Sequence, residues 1–322
     1  MYIFASLNHE VKMTHKKGLH HISVLAGDPK ANADFYVNKL GMRMVKRSVN
    51  QDDPTTYHLF YGNEAAQPGS SLTFFPWPRA HKGSTGSGEA VNVAFQVPLK
   101  SAEYWEKYLP TIGVDDFKEV TIFGKDGIRF EDPDGLELDL IFDGDAKAKE
   151  STYESSVPHE HAIQGFYSTR LNYTNPDETV GIIRDVLGFK EVQSHNDLTL
   201  FETDANIGSQ LIIEQSDEAP GRGGRGIVHH VAFRAKDEEE LAKMREQVLT
   251  AGLQPTEVID RHWFKSVYFR EPNGSLFELA TDGPGYAVDE DPEHLGEHLI
   301  LPPWLEPRRA LIENTLPKLD ID

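Results

Sequence analysis

Gly226-Ile227-Val228-His229-His230-Val231-Ala232-Phe233 is an apolar, strand-like run interrupted by two adjacent histidines, and Gly18-Leu19-His20-His21-Ile22-Ser23 carries the same pattern near the other end of the chain. Each run leads into a helix signal: Asp28-Pro29 sets a capping side chain before a proline, and Asp237 precedes Glu238 within Ala235-Lys236-Asp237-Glu238. Two further segments repeat the plan, with Ser101 in Leu99-Lys100-Ser101-Ala102-Glu103 and Asn175 before Pro176 as expected caps. The four helices close on Leu40-Gly41-Met42, Ile112-Gly113-Val114, Leu187-Gly188-Phe189 and Ala251-Gly252-Leu253, where glycine provides the left-handed stop. Those glycines lie 72, 75 and 64 residues apart, so the unit is a small module rather than a solenoid repeat.

Strand signals follow each helix: Tyr57–Tyr61 and Leu72–Phe75, Gly127–Phe130 and Leu136–Phe142, Leu198–Thr203 and Gln210–Glu214, Phe264–Arg270 and Leu276–Ala280. The expected fold is therefore α+β, with four βαβββ modules over 18–80, 88–145, 160–216 and 226–283. Residues 1–17 read as a flexible extension, and 284–322 as a C-terminal arm docked on one module. In two modules the last strands share a turn, Asp132-Pro133-Asp134-Gly135 and Glu271-Pro272-Asn273-Gly274. A type I turn with glycine in the left-handed position pairs Glu271 with Ser275. Counting back along both strands then puts Tyr268 directly across from Glu278.

Aligning the modules shows which can contribute metal ligands. The position of His21 corresponds to Asn92, Ser168 and His230, and that of Glu278 to Thr73, Asp139 and Ile212. Only the first and fourth modules offer histidine, and only the fourth adds glutamate. Modules 1 and 4 are therefore expected to pair, leaving modules 2 and 3 to pair with each other. Two imidazoles and one carboxylate on buried strands form a facial triad, which suits a redox-active metal with open positions. His21, His230 and Glu278 are the expected ligands.

Composition removes other classes. The formal net charge of -20 repels phosphate backbones and anionic lipid, so neither nucleic acid nor a membrane is expected as a partner. The chain has no cysteine, which excludes thiolate zinc, iron–sulfur and disulfide chemistry. No run approaches the ~20 apolar residues of a membrane helix. A cytoplasmic location is the default expectation.

A fourfold βαβββ repeat resembles the vicinal oxygen chelate (glyoxalase/bleomycin-resistance/dioxygenase) superfamily, in which modules form half-barrel domains. Glyoxalase I-type isomerases use a second glutamate where this chain has Thr73. Three donors leave up to three octahedral positions open to substrate oxygen and dioxygen, which favours an oxygenase. Gly18–Ser23, Tyr57-His58-Leu59-Phe60-Tyr61-Gly62, Leu72–Pro76, Gly226–Phe233, Tyr268-Phe269-Arg270-Glu271-Pro272, Glu293-His294-Leu295-Gly296 and Leu301-Pro302-Pro303-Trp304 together are similar to ring-cleaving dioxygenases of the hydroquinone 1,2-dioxygenase type. The resemblance implies a ring-cleaving, Fe(II)-dependent enzyme, with Mn(II) as the alternative ion, acting on a small dihydroxybenzene and dioxygen. It implies Tyr268, His229 and His20 for proton transfer or for holding substrate oxygens, and Arg261 for a second ring oxygen. Trp263, Phe264 and Phe277 are expected to wall the ring. By strand alternation alone, His20 and His229 would face away from the pocket unless a bulge turns them. A metal-dependent isomerase or lyase and a metal-free aromatic-binding protein remain the rival readings, and a homo-oligomer is left open.

Overall fold

The computed structural model describes residues 16–147 and 152–319, so the extension expected over 1–17 lies almost wholly outside the described residues. The first module runs β1 (Leu19–Ala26), α1 (Pro29–Ala33), β2 (Arg43–Val49), β3 (Tyr57–Gly62) and β4 (Ser71–Pro76). The second has β5 (Glu89–Val97), α2 (Ala102–Tyr108), β6 (Phe117–Ile122), β7 (Lys125–Glu131) and β8 (Glu137–Phe142). The third has β9 (Gly165–Tyr173), α3 (Asp177–Asp185), β10 (Lys190–His195), β11 (Leu198–Glu202) and β12 (Gln210–Gln215). The fourth has β13 (Val228–Ala235), α4 (Glu238–Thr250), β14 (Ile259–Asp260), β15 (Lys265–Arg270) and β16 (Leu276–Thr281), and α5 (Arg309–Thr315) closes the arm.

Two eight-stranded sheets result, in the orders β14-β15-β16-β13-β1-β4-β3-β2 and β10-β11-β12-β9-β5-β8-β7-β6. Modules 1 and 4 share the first sheet, and modules 2 and 3 the second, as the histidine positions required. The junctions are antiparallel, β1 with β13 and β5 with β9, while the first and last strands of each module run parallel. Gly41, Gly113, Gly188 and Gly252 all end their helices at positive φ, between 71° and 83°. Only glycine takes that conformation without a Cβ penalty.

Two of the expected helix caps differ. Asp28 and Asp237 do accept first-turn N–H groups. Ser101 instead sits in a short 3-10 turn and bonds His161 and Glu160 of the inter-module linker, and α3 starts after Pro176 with no side-chain cap. In both helices acids of the first turn, Glu103 in α2 and Asp177 and Glu178 in α3, complement the helix dipole in place of a side-chain cap.

One apolar core runs between the sheets, and Phe95 stacks on Phe166 at 5.6 Å inside it. Two turn acids tie the sheets together in a pseudo-twofold manner. Asp132 accepts the N–H groups of Asp134 and Leu136 at 2.9 Å and, across the sheets, the Tyr36 hydroxyl at 2.9 Å. Glu271 accepts the N–H groups of Asn273 and Ser275 and the Thr179 hydroxyl of α3. The arm docks on module 1, where Leu299 bridges Arg47 of β2 and Leu301, Leu305 and Ile312 are buried.

Candidate metal centre

Register explains how adjacent histidines come to work together. Leu19 pairs with Phe233 and His21 with Ala232, so His20 is an extra residue in β1; Ser23 pairs with His230 and Val24 with Val228, so His229 is the extra residue in β13. Each is a β-bulge, the device that turns a side chain away from regular alternation. The second sheet has the same irregularities at Val91 and Tyr167, so the bulge belongs to the module and the histidines to the site.

The three expected ligands meet. Glu278 Oε2 lies 3.1 Å from His21 Nε2 and 2.9 Å from His230 Nε2, and the two nitrogens are 3.2 Å apart. Among the described residues this is the one group of three such donors within 4.8 Å of one another. All three residues are buried, and Glu278 Oε2 has no hydrogen-bond partner of acceptable geometry despite its two close neighbours. An unpartnered buried oxygen this close to two imidazole nitrogens is a place for a shared cation, and two imidazoles with one carboxylate are a donor set that suits Fe or Mn. Glu278 also faces Tyr268 across β15 and β16, as the turn count required, and its Oε1 accepts the Ser266 hydroxyl. Burial works against the Glu278 carboxylate, but the two imidazoles hold it well below the usual range.

The neighbouring histidines set the tautomers. His20 Nε2 is 3.2 Å from the Thr281 carbonyl, which can only accept, so His20 Nδ1 carries a lone pair. That atom is 2.8 Å from His21 Nδ1, which must then donate, leaving His21 Nε2 unprotonated toward Glu278. The same Nδ1 to Nδ1 contact of 2.8 Å joins His229 to His230. Burial, with the adjacent histidine, lowers His20 to about 3, so its ring is neutral; His229, part of which reaches solvent, is lowered to about 4 by the desolvation of its ring and by His230.

Tyr268, Arg261, Trp263 and Phe264 line, with His21 and His230, a small cavity of about 40 Å³ that opens to solvent. His20 and His229 do not line it; they stand behind the ligands. Phe277 lies on the opposite face of β16 and packs on Phe233 at 5.0 Å in the core, contrary to its expected place in the wall. Six lining residues were given no site role in the sequence: Asn50, Gln51, Asp52, His58, Phe60 and Phe75. Asp52 forms a two-pronged pair with Arg261 at 3.0 and 3.3 Å, with the guanidinium 5.4 Å over the Tyr268 ring. His58 is sandwiched by Phe60 and Phe75 at 3.9 and 4.2 Å. The signal for Phe60 was available: it pairs with Thr73 as Tyr268 pairs with Glu278. His58, two residues away, shares its face. His58 Nε2 is 2.9 Å from Thr73 Oγ1, itself 2.7 Å from Ser23 Oγ, so the Thr73 position is filled by a hydrogen-bonded chain rather than a fourth acid.

In the second sheet, Asp139 takes the place of Glu278 and Arg129 that of Tyr268. Arg129 donates to both Asp139 oxygens at 2.7 and 2.8 Å. The buried acid there already has its cation, and Asn92 and Ser168 replace the histidines.

The profile of the Glyoxalase/Bleomycin resistance protein/Dioxygenase superfamily matches residues 18–140 and 165–279. The chain belongs to that superfamily. It is 38% identical over 299 residues to "Putative ring-cleaving dioxygenase MhqO" of Bacillus subtilis (strain 168), covering 93% of this chain and 95% of that one. It is 32% identical over 304 residues to chlorohydroquinone/hydroquinone 1,2-dioxygenase of Sphingobium indicum, covering 90% and 92%. A crystal structure of a "putative dioxygenase" from Bacillus subtilis subsp. subtilis str. 168 superposes with a TM-score of 0.90 at 37% identity, over 95% of this chain and 98% of that one. Glyoxalase I of Zea mays, at 14% identity and a TM-score of 0.62 over 88% and 97% of the chains, shares the fold. These relatives support dioxygenase chemistry. No helix among the described residues is long and apolar enough to cross a membrane.

Proposed function

We propose that the chain is a non-haem Fe(II)-dependent ring-cleaving dioxygenase of hydroquinone-type dihydroxybenzenes, inserting dioxygen next to a hydroxylated ring carbon. His21, His230 and Glu278 would hold the ion, with Mn(II) as the alternative. The reading is carried by the convergence of these three donors, without a fourth acid, at the base of an aromatic cavity. When bound, Fe(II) with one carboxylate keeps one net positive charge, lowers the pKa of a phenol from about 10 and supplies redox electrons.

The chain's own groups do the rest. Trp263, Phe264, Phe60 and Phe75 exclude water and set the plane of the ring. Tyr268 and Arg261, stacked on one another, hold the second ring oxygen and give or take its proton at the Tyr268 hydroxyl. His20 and His229 fix the orientation of the ligand imidazoles from behind, a positioning role rather than direct proton transfer. Thr73, tied to Ser23 and His58, keeps a fourth protein donor out of the site.

The test is metal analysis of anaerobically purified protein followed by oxygen uptake with hydroquinones, catechols and gentisate. One Fe per chain and oxygen consumed with a hydroquinone are expected. Iron-loaded protein that consumes no oxygen with any dihydroxybenzene would refute the assignment and favour an isomerase, whereas protein that retains no metal would favour a binding role.

A further inference from the structure

Lys46 of β2 has no exposed side-chain surface. Its ammonium meets two carboxylates of the C-terminal arm, Asp289 Oδ1 at 2.7 Å and Glu290, and lies 5.3 Å over the Trp263 indole. The other oxygen of Asp289, Oδ2, accepts the Trp263 indole N–H at 3.0 Å and lies 2.9 Å from His262 Nε2. One carboxylate of the arm therefore joins module 1 to the 261–264 loop of module 4.

That loop carries Arg261, Trp263 and Phe264, which makes its geometry decisive for the cavity. It follows β14, only two residues long, and turns sharply: Arg261 N–H reaches Phe264 O at 2.9 Å, and His262 sits at φ 72°. A side chain rarely adopts that left-handed backbone unless its surroundings impose it. Asp260 Oδ1 takes the His262 N–H at 2.7 Å from within the loop, and Asp289 holds the His262 and Trp263 side chains from outside. A buried ionic cluster is a poor source of net stability compared with apolar packing of the same volume. What a carboxylate shared by three donors does fix is where those donors stand.

We propose that Asp289 is a positioning residue for the aromatic wall, so that the C-terminal arm completes the ring-binding side of the cavity. The inference rests on the proposed reaction only for the identity of the ring. Full-length Asp289→Ala and Asp289→Asn proteins, loaded with metal and kept anaerobic, would be titrated with hydroquinone by calorimetry. The indole N–H resonance of Trp263 would be followed separately without ligand.

Asp289→Ala should retain its metal, shift the Trp263 resonance and lose tenfold or more in hydroquinone affinity, about 1.4 kcal/mol. In turnover its KM should rise more than its kcat falls. Asp289→Asn can keep its oxygen on the indole only by turning its NH2 toward the Lys46 ammonium, which Glu290 still pairs, and should recover part of the lost affinity. Wild-type affinity in Asp289→Ala, whatever its melting temperature, overturns the proposal. Should that variant not fold, Trp263→Phe, which deletes only the N–H and part of the ring, must show part of the affinity loss; wild-type affinity there also overturns it. If hydroquinone binds and the Asp289 effects appear while no dihydroxybenzene consumes oxygen, the reaction falls and the positioning role stands.

Discussion

Arg129→Met isolates the second half-barrel from the first. Asp139 is fully buried, and Arg129, with a side chain 13% exposed, donates to both its oxygens. Removing one partner of a buried pair costs about 3–5 kcal/mol, because the remaining charge is left in a low-dielectric site. The slight solvent contact of Arg129 argues for the lower end, about 3 kcal/mol, a large part of the stability of an ordinary domain. The urea midpoint should fall accordingly while metal content is unchanged, since the candidate ligands lie in the other sheet. Adding Asp139→Leu removes the orphaned charge, and the double variant should recover most of the loss. A loss below about 1 kcal/mol in Arg129→Met, or a double variant as unstable as the single, would refute the view that a guanidinium stands in this half-barrel as the counter-ion of the buried acid.

His21→Ala should abolish metal retention, read by elemental analysis after gel filtration; full retention would dissociate modules 1 and 4 as the site. His20→Asn should fold normally but bind metal about 10–100-fold more weakly, since it loosens the ring behind the ligand, and a competition assay with a chelator measures it. Thr73→Glu should keep the metal and suppress oxygen uptake by supplying a further donor; uptake at the wild-type rate would mean that open positions at the ion are not what matters. Burial raises Asp132 from 3.8 to about 6. The folded state thus binds more protons than the unfolded one between those values, and stability falls as pH rises through that window and stays reduced above it. Asp132→Asn should remove that dependence, gaining up to about 3 kcal/mol over wild type at pH 8 relative to pH 4, from urea unfolding at both. An equal difference at the two pH values would place the titration elsewhere.

The strands legible in the sequence were the central ones, and the reason is physical. β2, β6, β10 and β14, the strands directly after each helix, went unnamed, and all four are sheet edges. Edge strands carry polar and charged residues, which erases the apolar alternation; in β2 those charges are buried, where Arg43 and Lys46 bond the arm. All six residues of β10, Lys190–His195, are exposed. The repeat made the pairing of modules readable, because His21 and His230 had to meet, and turn chemistry placed Tyr268 across from Glu278. Local rules could not reveal that β1 and β13 bulge at His20 and His229, nor that Asp289 reaches Trp263 from 26 residues away. The Asp52 to Arg261 pair joins loops of two modules 209 residues apart, and neither loop has a pattern of its own.

The pairing of first with last module has a cost that the second half-barrel offsets. His21 and His230 are 209 residues apart, and closing so long a flexible loop costs on the order of 5 kcal/mol before any contact forms. The linkers into and out of modules 2 and 3 shorten that distance by running side by side: Ser84 and Arg222 exchange N–H to carbonyl bonds at 3.0 and 2.8 Å, and Gly83 N–H meets Arg225 O at 3.0 Å. Asp132 on Tyr36 and Glu271 on Thr179 then lock one sheet to the other. Modules 2 and 3 therefore serve the site without contributing a ligand to it, holding the ends of β1 and β13 in register. Their own acid position is filled from within the fold, by Arg129 on Asp139.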